Sequence, residues 1–275
     1  MKIATSEEWQ TALQDPSGKR ASNRKSRTGL TMVIDKGMGP HAFSDFVQLG
    51  GPHVDIVKLA FGTSVLYSPE LLRDKLKTAK EHGLIVMPGG TLLEAAVQQQ
   101  SVGSFLDAIC AFGFNGLEIS DGTIELDRGR RTSLIKEGIK RGLYVVTEYG
   151  KKAAGSMVDP DELAFTADCD LEAGAALVTV EARESGMNVG LFDSEGNCQE
   201  EALQEALAKV GDASLLMWEA PLKQQQVYLL QQLGSNVHLG NISPADALAL
   251  EAMRRGLRSD TFHFGHASEP YIYMI

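Results

Sequence analysis

Between Thr31 and Gly240 the chain repeats one unit eight times: a short apolar run, then an amphipathic stretch. The apolar runs centre on residues 31–35, 54–60, 84–88, 115–120, 143–148, 176–182, 214–219 and 236–240. In the stretch from Ser68 to His82, Leu71, Leu72, Lys75, Leu76 and Ala79 trace one face at helical spacing, and Pro69 suits a first turn. Gly83 ends that stretch, and Gly113, Gly142, Gly174 and Gly234 stand in the same place before later runs. A helix between two strands returns the chain to the edge it left, so the strands must pair in parallel. Eight such units in about 235 residues is the spacing of a (β/α)8 barrel. A doubly wound open sheet also alternates, but it carries fewer strands and a glycine-rich nucleotide turn, and Met38-Gly39 follows the first run without a GxGxxG. The reading is therefore an α/β fold, a single TIM barrel over residues 31–265, with a polar N-terminal arm at 1–30 and a tail at 266–275.

The arm carries Asp15-Pro16-Ser17-Gly18-Lys19-Arg20 and a basic cluster, Arg24-Lys25-Ser26-Arg27. Across all 275 residues the net charge is −10, which argues against nucleic acid or an acidic membrane as a general partner. Cys110, Cys169 and Cys198 have no CxxC spacing and read as free thiols. Acidic Glu7-Glu8 stands where a signal peptide would be apolar, and no run reaches the roughly 18–20 apolar residues of a membrane span. The expectation is a cytoplasmic protein.

Chemistry collects where the apolar runs stop. Leu117-Glu118-Ile119-Ser120, Tyr144-Val145-Val146-Thr147-Glu148, Val180-Glu181-Ala182-Arg183 and Trp218-Glu219 end in acids, and Ile56-Val57-Lys58 and Ile34-Asp35-Lys36 in ammonium groups. Ligands bind at the carboxyl ends of parallel strands, so charge repeated there points to an enzyme. Side chains two apart share a face, which pairs Glu118 with Ser120 and Glu181 with Arg183. The carboxylates Glu118, Glu148, Glu181 and Glu219, without a His or Cys cluster, suit Mg2+ or Mn2+ rather than zinc. Lys36, Lys58, Arg183, Arg255 and Arg258 are the candidates for holding an anionic substrate, since arginine forks match phosphate and sulfonate oxygens. Pro88-Gly89-Gly90-Thr91 offers either an anion cradle at a helix N-terminus or a tight turn. His238 reads as a hydrogen-bonded strand histidine.

These strand ends, taken in order, resemble the phosphosulfolactate synthase (ComA) family over about residues 29–265. The resemblance rests on Arg27–Gly37, Val57–Ser64, Met87–Leu92, Leu117–Gly122, Val146–Lys152, Val180–Gly186, Gly190–Asp193, Glu219–Pro221, Gln224–Gln226 and Leu250–Arg258. It implies a TIM barrel, a homo-oligomer, and a Mg2+-dependent addition of sulfite to phosphoenolpyruvate giving (2R)-phospho-3-sulfolactate. It also implies that a lysine of Gly150-Lys151-Lys152 transfers the proton, with Lys152 first and Lys151 second, and adjacent positive charge is expected to lower its pKa. A related barrel lyase acting on another phosphorylated carboxylate, and a non-catalytic stress-related member of the family, are the alternatives.

Overall fold

Each apolar run forms a strand in the computed structural model, which describes residues 13–20 and 28–265. The strands are β1 (Thr31–Asp35), β2 (Ile56–Leu59), β3 (Ile85–Pro88), β4 (Gly116–Ile119), β5 (Tyr144–Tyr149), β6 (Leu177–Val180), β7 (Leu216–Glu219) and β8 (His238–Ile242). The amphipathic stretches form α1 (Pro40–Gly50), α2 (Pro69–Glu81), α3 (Gly90–Gln98), α4 (Val102–Phe112), α5 (Arg128–Lys140), α6 (Pro160–Glu172), α7 (Glu200–Lys209), α8 (Lys223–Leu233) and α9 (Ala247–Arg254). Their starts are written locally: proline opens α1, α2 and α6, and Ser68, Asp127 and Asp159 accept bonds from first-turn amides.

All pairings are parallel and the sheet runs β3-β2-β1-β8-β7-β6-β5-β4, so it curls into a barrel whose one seam lies between β3 and β4. Side chains close that seam. The Asn115 carboxamide accepts from Val86 N at 2.6 Å and donates to Leu84 O at 3.1 Å, standing in for a ladder. Gly116 permits the approach, because a Cβ there would lie 2.7 Å from Ile85 Cγ2.

Alternation splits the apolar residues into two cores. Met32, Ile56, Met87, Val146, Leu177 and Met217 fill the lumen, while the residues facing the other way, including Val33, Val57, Val86, Leu117, Val145 and Val178, pack under the helices. A glycine at 240 makes room in the lumen, since a Cβ would meet Met32 Cε at 2.8 Å and Met217 Sδ at 3.3 Å. The lumen is thus sealed by side chains below the level of the strand-end charges.

The floor of the barrel is tied together by the described part of the arm. Arg20 pairs with Glu251 at 2.9 Å, Ser17 N donates to Arg255 O, and the fully buried Arg254 donates to Ser235 O, Val237 O and Leu30 O. His238 belongs to this floor: its Nδ1 accepts from Leu30 N at 2.9 Å, and burial together with the Arg254 charge pulls its pKa down to about 4. The three cysteines are free thiols. The basic cluster Arg24–Arg27 and the tail 266–275 lie outside the described residues.

Candidate active site at the barrel mouth

Above the lumen core the strand ends enclose a cavity of about 310 Å3, lined among others by Lys58, Gly90, Glu118, Glu148, Lys152, Glu181, Arg183, Glu219 and Asn241. A cavity of about 430 Å3 at the floor is larger, but its walls are mainly apolar and no acids or ammonium groups converge on it. Three of the non-glycine residues with left-handed backbone line the mouth cavity: Phe61 (φ +55°), Arg183 (φ +61°) and Asn241 (φ +54°). Strained backbone of this kind persists where the fold holds side chains for a purpose.

Two ammonium groups sit among five carboxylates. Lys58 Nζ, on β2, is bonded to Glu219 Oε1 at 2.9 Å and Glu118 Oε1 at 3.0 Å, with Glu148 Oε2 at 3.5 Å. Lys152 Nζ lies 3.0 Å from Glu148 Oε1, 3.6 Å from Glu94 Oε1 and 3.8 Å from Glu181 Oε2. The remaining oxygens are held by backbone amides: Glu118 Oε2 accepts from Gly90 N at 2.6 Å, Glu219 Oε2 from Ala182 N at 3.0 Å, and Glu181 Oε1 from Arg183 N at 2.5 Å. The N-terminus of α3 is therefore spent on Glu118, and the Gly89-Gly90 turn serves the acid rather than a free anion. Gly89 has its own reason: a Cβ there would stand 2.6 Å from Phe61 N.

Glu148, Glu181 and Glu219 bring carboxylate oxygens within 4.8 Å of one another, and Glu148 Oε1 and Glu181 Oε2 are buried without a hydrogen bond. Three converging carboxylates, two of them with an oxygen that has no hydrogen bond, fit a divalent cation such as Mg2+. Glu118 is not part of this trio; its oxygens are engaged by Lys58 and Gly90, as those of Glu219 are by Lys58 and Ala182.

The electrostatics record the excess of acid. Burial pushes the Glu118 pKa up to about 7 against the pull of Lys58, and Glu148, pulled by Lys152 and Lys58, overcomes burial and falls to about 2. Burial and the neighbouring Glu148 and Glu219 hold Glu181 well above the carboxylate range. For Glu118, whose folded pKa is raised, stability is present below the ordinary value of 4.5 and lost as pH climbs through about 7. Glu148 acts in the opposite sense, its contribution being present above 4.5 and lost as pH falls toward 2. Chelator-treated protein is therefore expected to lose on the order of 3 kcal/mol through Glu118 as pH rises from about 5 to about 8. Thermal unfolding across that range checks it; a flat or rising metal-free profile would contradict it.

The lysine expectation needs one correction. Burial alone would lower the Lys152 pKa, but Glu148, Glu181, Glu94 and Glu118 outweigh it and hold it well above the usual lysine range. Lys151 does not supply neighbouring positive charge in the site, because its Nζ turns outward to Asp121 O at 2.9 Å and Ile124 O at 3.0 Å.

Other candidates fall elsewhere. Lys36 is exposed beyond β1, where the buried Asp35 turns to Lys75 in the helical layer. Arg255 is paired with Glu251 at 2.7 Å on the floor, and Arg258 lies 3.6 Å from Asp260 in the outer layer. A helix following a strand carries its C-terminus back to the opposite end of the barrel, so neither arginine can reach the mouth. Arg183 does line the cavity, and its guanidinium makes no hydrogen bond or ion pair among the described residues. Glu94 and Asn241 enter unannounced. Glu94 is 1% exposed on α3, and Asn241 occupies a bulge in β8 where the register with β1 shifts, its Oδ1 buried without a partner.

Residues 19–260 match the model of a family described as (2R)-phospho-3-sulfolactate synthase (ComA). The chain belongs to that family. Among its relatives is the phosphosulfolactate synthase of Methanocaldococcus jannaschii, 39% identical over 236 residues, which cover 85% of this chain and 94% of that one. That of Methanothermobacter thermautotrophicus is 37% identical over 242 residues, 87% of this chain and 93% of that one. The ComA family is catalytic, so the mouth belongs to an enzyme. Among solved structures, a 3-hexulose-6-phosphate synthase overlays with a TM-score of 0.53 at 17% identity, covering 82% of this chain and 99% of that one, a likeness of fold alone. Among the described residues no helix is long and apolar enough to cross a membrane.

Proposed function

We propose that the mouth adds sulfite to phosphoenolpyruvate with Mg2+ as cofactor, giving (2R)-phospho-3-sulfolactate. The observation that carries this reading is the pairing, in one 310 Å3 cavity, of a carboxylate trio with an ammonium and an unpaired guanidinium. The reaction joins two anions, and each feature answers one of its demands.

Arg183 holds an anionic group of the reactants, its guanidinium having no competing partner among the described residues. Glu148, Glu181 and Glu219 would hold Mg2+, and that ion would stabilise the negative charge that builds on the substrate carboxylate as sulfur attacks C3. Lys152 then delivers its proton to C2, closing the new stereocentre from one face. Its raised pKa keeps it charged at every working pH, and the enediolate carbon it protonates is far more basic than an amine. Lys58 keeps Glu118 and Glu219 in place from below and is already saturated by three carboxylates, so it serves the frame of the site rather than the substrate.

The deciding experiment incubates the purified protein with phosphoenolpyruvate, sulfite and Mg2+ and looks for phosphosulfolactate by mass spectrometry. Product is expected, and EDTA is expected to abolish it; turnover that survives chelation would remove the metal from the reading, and no product from folded protein would end it. Arg183→Ala is expected to raise the KM for a substrate by on the order of tenfold or more, the worth of a charge-assisted bond. An unchanged KM for both substrates would take Arg183 out of the site.

A further inference from the structure

Lys151 and Lys152 are neighbours in sequence, yet they end on opposite sides of a wall. The wall is the turn after β4, Ser120–Thr123. On its outer side Lys151 Nζ is captured by the carbonyls of Asp121 and Ile124. On its inner side Lys152 N donates to Gly122 O at 3.0 Å, and the lysine stem lies flat against Gly122. A Cβ at Gly122 would stand 2.8 Å from Lys152 Cγ and 2.9 Å from Cδ and Cε, so the groove for the stem exists only because that side chain is missing. The three atoms nearest to that Cβ all belong to the lysine, and Gly122 does not have a left-handed backbone.

One buried side chain holds the turn. Glu94 Oε1 accepts from Ser120 Oγ at 2.5 Å and Gly122 N at 3.0 Å, and Glu94 Oε2 accepts from Thr123 N at 3.2 Å and from the Thr123 hydroxyl. The same Oε1 is 3.6 Å from Lys152 Nζ. Glu94 does not line the cavity, so it acts on the chemistry through the turn it anchors and through its charge beside Lys152.

We propose that Glu94 and Gly122 are the positioning residues that admit Lys152, and not Lys151, to the reacting centre: Glu94 anchors the turn and Gly122 leaves the slot for the stem. The proposal rests on the reading of Lys152 as proton donor. Its chemical consequence is stereochemical, because a lysine displaced from the slot no longer delivers the C2 proton from one face only.

The test uses the full chain with Mg2+ and compares Gly122→Ala and Glu94→Gln, each alone and combined with Lys152→Ala. Each single variant is expected to lose kcat on the order of 10²-fold with KM for both substrates near wild type, as a displacement of about 1 Å can do. Phosphosulfolactate made by Gly122→Ala is expected to be a mixture at C2. In the Lys152→Ala background both substitutions should cost no further kcat, and the Tm lost by Gly122→Ala should return once the stem is gone. Additive losses of kcat and Tm, or wild-type kcat and a single C2 configuration in both variants, would overturn the slot. If wild type makes no phosphosulfolactate, the reading of the reaction falls instead, and the recovery of Tm in the Gly122→Ala, Lys152→Ala pair still decides whether the slot exists.

Discussion

Replacing Lys152 with alanine is expected to cost on the order of 10²–10⁴-fold in kcat while phosphoenolpyruvate and Mg2+ still bind. The lysine Nζ borders the cavity at 3.0 Å from Glu148 Oε1 of the carboxylate trio, on a side chain 21% exposed. Lys58, the other ammonium among these acids, is closed in by Glu118, Glu148 and Glu219 and has no proton to spare without unpairing them. The variant should also stop exchange of the C2 proton of product with deuterated solvent. Lys151→Ala should stay near wild type, since its partners Asp121 O, Ile124 O and Glu125 are outside the cavity. The result that would reverse the assignment is normal exchange in Lys152→Ala together with its loss in Lys151→Ala, and normal exchange in both would end it.

The second large effect falls on stability. Lys58→Met removes a buried ammonium from between Glu118 and Glu219 and leaves their carboxylates facing each other at the base of the cavity. Removing one partner of a buried ion pair typically costs about 3–5 kcal/mol. In a chain of this size each kcal/mol is worth about 2–4 °C, so Tm should fall by on the order of 10 °C. Methionine fits the space left by a lysine stem, so the loss is electrostatic rather than a cavity. It should therefore shrink on acidification: without Lys58 the Glu118 pKa rises further above its unfolded value, and the folded state is favoured wherever that acid is protonated. Thermal unfolding at low and high pH measures it; an equal Tm for variant and wild type at the upper pH would show that the acids manage without the ammonium.

The barrel was legible because its signal is repeated. All eight apolar runs are strands, and the parity of Glu118, Glu181 and Arg183 placed them at the mouth as the structure has them. The resemblance put Lys152 before Lys151, but what separates them is the Ser120–Thr123 turn, which contacts them only in three dimensions. Arg255 and Arg258 attracted attention for their chemistry, although a helix after β8 must end at the floor. Glu94 could have been noticed as a lone acid in the apolar run Leu92-Leu93-Glu94-Ala95-Ala96-Val97, a pattern that requires a buried partner. Asn241 had no such signal, because its role comes from a register shift against a strand some two hundred residues earlier. The sign of the Lys152 pKa was misjudged for a related reason: neighbours in sequence were counted, while the four acids that act on it come from β4, β5, the end of β6 and α3.

The β3–β4 seam gives the barrel an uneven stiffness around its circumference. Prising apart any other pair of strands means breaking a row of backbone bonds at once, whereas here Asn115 and the Glu118–Gly90 contact carry the load. Glu118 and Gly90 are also part of the cavity wall. The meridian with the fewest cross-strand backbone bonds therefore runs straight into the mouth.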